Sequence, residues 1–246
     1  MTAPRLEEFE HRASYADGEG RDAWMVRAIG AWMDVVLPPL LASAARGAVL
    51  DVGCGEQPFR HTIVASGCRY LGMDVVQNGA GTVDAIGALE RLPDPWPLPD
   101  AQFPLVLCTE VLEHVTDIDA AFANLRRLTA PSGAVVVTTP FVFPLHMEPY
   151  DYRRLTPYGL EQLASTHRFR VERLDRLGTP AQAAATLLAD LSILPARRSV
   201  LARARVAALR TVLRAGIRGL ARARHDVAVN GNTYLGNAVV LRATSR

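Results

Sequence analysis

The chain has 246 residues, about half of them apolar, which fits one α/β domain with additions or two small domains and excludes a disordered composition. Its net charge of +2 is uneven: all 27 basic residues are arginine, and nine of them fall between Leu191 and His225 without an acid, so the remainder carries 18 arginines against 25 acids, or −7. The three cysteines, Cys54, Cys68 and Cys108, show no CxxC spacing, so buried free thiols are expected rather than disulfides, and no metal ligands are assigned.

Residues 1–20 are polar, and Glu7, Glu8 and Glu10 lack the basic-then-apolar order of a secretion signal. Arg21 to Ser43 reads as a helix, with Trp24, Ile29, Trp32, Val36 and Leu40 at helical intervals up to a break at Pro38-Pro39. Its tryptophans could cover a pocket, but ordinary core packing is the favoured reading. Asp34 and the two prolines interrupt the apolar run, so no membrane span and a cytoplasmic location are expected.

Val49 to Val52 is the first predicted strand, and it runs into Gly53-Cys54-Gly55. Two glycines there allow a sharp turn that exposes backbone N–H groups to a ligand. A helix over Phe59 to Ser66 and a second strand over Arg69 to Met73 follow, ending at Asp74. An acid at that place, about 20 residues past the glycine turn, suits two ribose hydroxyls better than solvent.

Thr82 to Ile86 is expected as the third strand and Leu105 to Cys108 as the fourth, separated by a proline-rich loop over Leu92 to Pro99. Asp117 caps a helix over Ile118 to Thr129, and Pro131-Ser132-Gly133 turns into a fifth strand, Ala134 to Thr138. This alternation implies a parallel sheet covered by helices. A long loop from Thr139 precedes a helix begun by Thr156-Pro157, and a sixth strand spans Arg168 to Leu177. Residues 181–225 are helical in composition, and Thr233 to Arg242 forms the last strand after an Asn230-Gly231 turn.

Three strings carry a resemblance: Leu50-Asp51-Val52-Gly53-Cys54-Gly55, the acid Asp74, and Glu110-Val111-Leu112-Glu113-His114-Val115. Together with Pro131-Ser132-Gly133, they resemble class I S-adenosylmethionine (SAM)-dependent methyltransferases of the type 11 domain group. The resemblance implies an α/β, Rossmann-like fold: one domain over residues 1–246, with a seven-stranded sheet in the order 3-2-1-4-5-7-6, a helical cap near 21–43 and an arginine-rich helical insertion near 181–225. It implies that Asp51, Gly53, Cys54 and Gly55 meet the amino-acid end of SAM. Asp74, with Val75 beside it, meets the ribose, Ala88 and Leu89 the adenine, and Glu110 the methionine part. The chain departs from the family at Gln57, where a glycine is usual, and at Phe103-Pro104, where Phe-Asp is usual. The Gln57 change is expected to alter the pocket wall near the methionine end.

A hydroxyl acceptor needs a base, which makes His114 and His146 the candidate catalytic residues. His114 belongs to the shared string, where a structural hydrogen bond is the favoured role. His146 lies in the loop after the fifth strand, where such sheets bind ligands, with Tyr150, Asp151 and Arg154 as candidate substrate contacts. The expected partner is a small molecule bearing a sugar, glycolipid or similar hydroxyl, as in bacterial biosynthesis, and DNA is not expected. An RNA or protein methyltransferase and a non-catalytic SAM-binding scaffold are the alternatives. The helix stripe Val206, Leu209, Leu213, Ile217 and Leu220, flanked by Arg210, Arg214, Arg218 and Arg222, allows a solvated packed helix, homodimer contact, or a membrane surface reached through 198–224.

Overall fold

The central strands are apolar runs because both faces of the sheet are covered there, while the edge strand over Phe169–Leu177 alternates with charged residues. A computed structural model of the protein describes residues 22–98, 102–191, 207–208, 211–212, 215–216 and 231–244. Its seven strands are β1 (Ala48–Val52), β2 (Arg69–Asp74), β3 (Ala85–Ile86), β4 (Phe103–Thr109), β5 (Thr129–Pro140), β6 (Phe169–Leu177) and β7 (Gly236–Ala243). They form one sheet in the order β3-β2-β1-β4-β5-β7-β6, as expected. β1 to β5 pair in parallel, while β7 runs antiparallel to β5 and β6. The helices are α1 (Ala23–Ser43), α2 (Arg60–Ala65), α3 (Ile118–Leu128), α4 (Pro157–Thr166) and α5 (Pro180–Leu191).

Successive strand residues point to opposite faces, and this splits the core in two. Val49, Leu105, Leu107, Val136 and Val240 pack with the apolar side of α1 and with Ile63 of α2. Leu50, Val106, Cys108, Val135 and Val239 pack with Phe122 and Leu125 of α3 and Leu160 of α4 on the other face. Helix starts follow their caps: Asp117 Oδ1 accepts from the Ala120 N–H at 3.0 Å, and Thr156 Oγ1 accepts from the Gly159 N–H at 3.1 Å.

Several boundaries differ from expectation. α1 runs through Pro38 and Pro39 to Ser43 without a break. Proline's φ is compatible with a helix, and the carbonyls it leaves unbonded belong to Asp34 and Val35, both exposed to water, while Leu37, Leu40 and Leu41 stay buried. By length and composition alone α1 could cross a membrane, contrary to expectation, but Trp32, Met33 and Leu37 hold it in the core.

β3 shrinks to two residues because side chains take the ladder's place. The Val83 N–H donates to Gln77 Oε1 (2.8 Å), and the Gly72 N–H donates to Asp84 Oδ2 (2.7 Å). In β4, Pro104 has no N–H to give, and the pairing with β5 shifts register between Phe103 and Leu105. α3 ends at Leu128, and β5 begins at Thr129, before the Pro131–Gly133 turn rather than after it. The arginine stripe and Asn230 lie largely or wholly outside the described residues, so the expectations placed on 192–206 and 217–230 are not addressed by the structure.

Candidate active site

The glycine turn forms where β1 meets β2. The N–H groups of Gly53 and Cys54 both donate to the Met73 carbonyl, at 2.8 and 3.1 Å. Gly53 has φ +68°, and a Cβ there would stand 2.2 Å from Val111 Cγ2, so this glycine is required both by its backbone and by close approach of the segment after β4. The Gly55 N–H donates to Asp74 Oδ2 at 2.8 Å, which fastens the turn to the end of β2.

Gln57 does not sit as expected. It takes φ +59°, a conformation glycine adopts at less cost, and its amide is committed elsewhere. Nε2 donates to the Thr82 carbonyl (2.7 Å), while Oε1 accepts from Thr82 Oγ1 (3.0 Å) and Arg60 Nη1 (2.9 Å). Gln57 therefore ties the turn to the 78–84 loop. The Cys54 thiol likewise packs in the core against Gly72, and its carbonyl accepts from the Gln57 N–H at 2.7 Å.

Two carboxylates stand at the carboxyl edge of the sheet. Asp51 accepts from the Tyr70 O–H through Oδ2 (2.7 Å), while its buried Oδ1 has no hydrogen-bond partner. Burial pushes its pKa up to about 7, against the lowering effect of Tyr70 and with a further raise from Asp74. Glu110, at φ +54° just past β4, has an unpartnered buried Oε1, and burial followed by the neighbouring Glu113 pushes it up to about 8. Buried carboxylate oxygens without partners fit a ligand that brings positive charge, as the ammonium and sulfonium of SAM do. Asp74 closes the β2 end, with its Oδ1 3.5 Å from the Val76 N–H. Val75 follows it at the edge. Ala88 pairs with Arg91 in an isolated bridge, and Leu89 is buried in the α3-side core with its carbonyl bound by Asn124.

Beyond Glu110, the chain brings Glu113, His114 and His146 together. Glu113 is 1% exposed and neither of its oxygens has a hydrogen-bond partner. Its Oε1 lies 3.7 Å from Nε2 of His114 and 3.7 Å from Nε2 of His146. Burial pushes Glu113 up to about 7, opposed by His114 and Arg154. The two imidazoles meet edge to face at 4.8 Å, and Phe143 packs edge-on against His146 at 5.4 Å.

The 141–154 loop is strapped in place by its own backbone. Phe141 and Val142 donate to the Leu235 carbonyl (2.7 and 3.1 Å), and the Tyr152 N–H donates to the Glu113 carbonyl (2.9 Å). Nδ1–H of His114 donates to the Tyr150 carbonyl at 2.9 Å, which leaves its Nε2 as the lone-pair nitrogen of the neutral ring. Asp151 accepts from the His146 main-chain N–H (3.1 Å) and from both terminal nitrogens of Arg154. Burial would raise Asp151, but these bonds outweigh it and hold the carboxyl below its ordinary value. Arg154 also donates to the carbonyls of Phe143, Pro144 and Arg153.

The structure thus gathers His114, His146, Tyr150, Asp151 and Arg154 as a group. Asp151 and Arg154, however, engage each other and the loop, and Tyr150 acts here through its carbonyl. Sequence reasoning passed over Glu113, although an acid beside a histidine in a string that must be buried was a readable signal. It also assigned no metal, yet Glu113, His114 and His146 offer ligand atoms within 4.8 Å of one another.

A mostly parallel sheet of this order, with a glycine turn after β1, an acid ending β2 and partnerless carboxylate oxygens on Asp51 and Glu110, is the arrangement of the class I SAM-dependent methyltransferase fold. A family model described as "Methyltransferase domain" matches residues 25–182, and the chain belongs to that family. The chain is 30% identical over 159 residues to a Mycolicibacterium smegmatis protein named "Probable S-adenosylmethionine-dependent methyltransferase", covering 59% of this chain and 60% of that one. It is 34% identical over 109 residues to a ubiquinone biosynthesis O-methyltransferase of Methylococcus capsulatus, covering 39% of this chain and 44% of that one. The chain thus spans about three fifths and less than half of the lengths of these relatives. A solved SAM-dependent methyltransferase from Archaeoglobus fulgidus shares the fold with a TM-score of 0.53 at 17% identity, over 96% of this chain and 98% of that one.

Proposed function

We infer that the protein methylates a hydroxyl group of a small molecule. The observation that carries this reading is the meeting of buried Glu113 with half-buried His114 and His146 between the segments after β4 and β5. When bound, SAM supplies a methyl group on a sulfonium, electrophilic enough that the protein need offer no nucleophile of its own. What a hydroxyl acceptor lacks is a place for its proton, and an imidazole is suited to receive it.

His146 is the group assigned to that task. Asp151 stands 3.1 Å from its Nδ1 and anchors its main chain, with Arg154 holding Asp151 in turn. Glu113 stabilises positive charge on either ring. Asp51, Gly53, Gly55, Asp74 and Glu110 hold the cofactor end, and the Tyr150–Arg154 stretch sets the loop that receives the acceptor. Leu145, 60% exposed, flanks His146 and supports an acceptor whose hydroxyl is carried on a partly apolar body. The curated relatives named O-methyltransferases support the same class of acceptor atom.

The test is turnover of SAM against a panel of hydroxyl-bearing metabolites, with products read by mass. His146→Ala is expected to lose about 100-fold or more in turnover, the usual share of a positioned base, with SAM affinity kept. Full turnover in that variant would remove His146 from the mechanism.

A further inference from the structure

We propose that Glu113, His114 and His146 hold a divalent transition-metal ion. Four observations converge on this, the first being the ligand set. Two imidazole nitrogens each lie 3.7 Å from one carboxylate oxygen, and all three atoms lie within 4.8 Å of one another. Ligands at roughly 2.0–2.2 Å from a common ion stand roughly 3–3.5 Å apart, so small side-chain rotations of Glu113 and the two histidines, on backbones that stay in place, close the set.

Next come the outer partners. Histidines that bind metals through one nitrogen usually fix the other on a carbonyl or carboxylate. His114 does so with Nδ1 on the Tyr150 carbonyl (2.9 Å). His146 has Nδ1 3.1 Å from Asp151 Oδ2, without yet the alignment of a formed hydrogen bond, and Arg154 holds that carboxylate. Both Nε2 atoms are left toward Glu113.

Glu113 itself supplies the third observation. Its carboxylate is 1% exposed, and neither oxygen has a hydrogen-bond partner. An unpaired charge in that setting is costly, and a bound cation removes the cost. Finally, the supports are firm, since the 110–115 segment and the 141–154 loop are tied by the Tyr152–Glu113 and His114–Tyr150 bonds.

Two imidazoles and one carboxylate suit zinc, cobalt, manganese or iron better than magnesium or calcium, and three protein ligands leave positions open. The ion's use rests on the hydroxyl reading above. It would take the acceptor oxygen as a further ligand and polarise the O–H bond, as such ions do for bound water. The O–H bond breaks and its proton passes to solvent. The same oxygen then bonds to the methyl carbon as the carbon–sulfur bond breaks, with both bonding electrons going to sulfur. This replaces the base role given to His146 above while keeping the hydroxyl acceptor: with the ion bound, His146 is a ligand, and the ion promotes loss of the proton.

The experiment is titration of chelator-stripped full-length protein with Co²⁺, followed by visible absorption, with displacement by Zn²⁺. One Co²⁺ per chain with a ligand-field band is expected. Glu113→Gln and, separately, His146→Ala should each weaken binding at least tenfold, while the exposed His61→Ala should not. Melting curves check that each variant is folded, and a folded variant from either position suffices. No saturable Co²⁺ binding, or binding unchanged in both folded variants, overturns the site. Full hydroxyl methylation by stripped protein also overturns it, and leaves His146 as the base. An ion bound as described in a protein that methylates only nitrogen or carbon keeps the site and removes the hydroxyl reading.

Discussion

Asp51 links the carboxyl edge of the sheet to the protein's response to pH. Burial raises its carboxyl from 3.8 to about 7, so between those values the folded chain holds a proton that the unfolded chain has released. The sign follows: its contribution favours the fold at low pH and is lost as pH rises through about 7, by at most about 1.4 kcal/mol per pH unit. Urea midpoints of the ligand-free protein should therefore fall between about pH 4 and 7, and Asp51→Asn should make that fall shallower, with Glu110 and Glu113 supplying the rest. An equal slope in the variant would mean that Asp51 is ionised throughout. At this scale the sequence showed clearly what a short motif shows. Gly53, Gly55 and Asp74 were read from their order along the chain, since a turn after one strand and an acid ending the next are local features, while Glu110 came from the family resemblance. Glu113 and Gln57 were not, because their roles depend on partners, His146 and Thr82, set by tertiary contact at separations of 33 and 25 residues.

Among the elements, α1 shows how far tertiary packing governs what a local signal cannot decide. Its apolar stripe was readable as helix, and Trp24, Ile29, Trp32, Val36 and Leu40 are all buried. Its passage through two prolines was not, since that depends on which carbonyls face water. Trp32 is the anchor: it is fully buried, and its Nε1–H donates to Asp175 Oδ2 of β6 at 2.7 Å. Trp32→Ala should cost about 3–5 kcal/mol in urea unfolding, the range for a large aromatic side chain removed from a core. A loss under about 1 kcal/mol would show that α1 is not part of the cooperative unit. β3 teaches the same lesson from the other side, because its expected length was lost to hydrogen bonds from Gln77 and Asp84.

Over the whole molecule, alternation of strands and helices was enough to predict a covered parallel sheet, and the family resemblance supplied the strand order. Both hold because the nearly continuous burial of β1, β4, β5 and β7, alternating between the two cores, and the caps at Asp117 and Thr156 agree locally with the global fold. The sheet then does for chemistry what no single element can: it delivers Asp51, Asp74, Glu110 and the His146 loop to one edge. The central claim is that this edge moves a methyl group from SAM to oxygen. The direct measurement is the site of the label after incubation with SAM carrying a ¹³C-methyl group and hydroxyl-bearing acceptors, read by carbon–proton NMR of the product. The account predicts a labelled methoxy carbon joined through oxygen to the acceptor, lost in His146→Ala. A label on nitrogen or carbon, or no transfer from a protein that binds SAM, would contradict it.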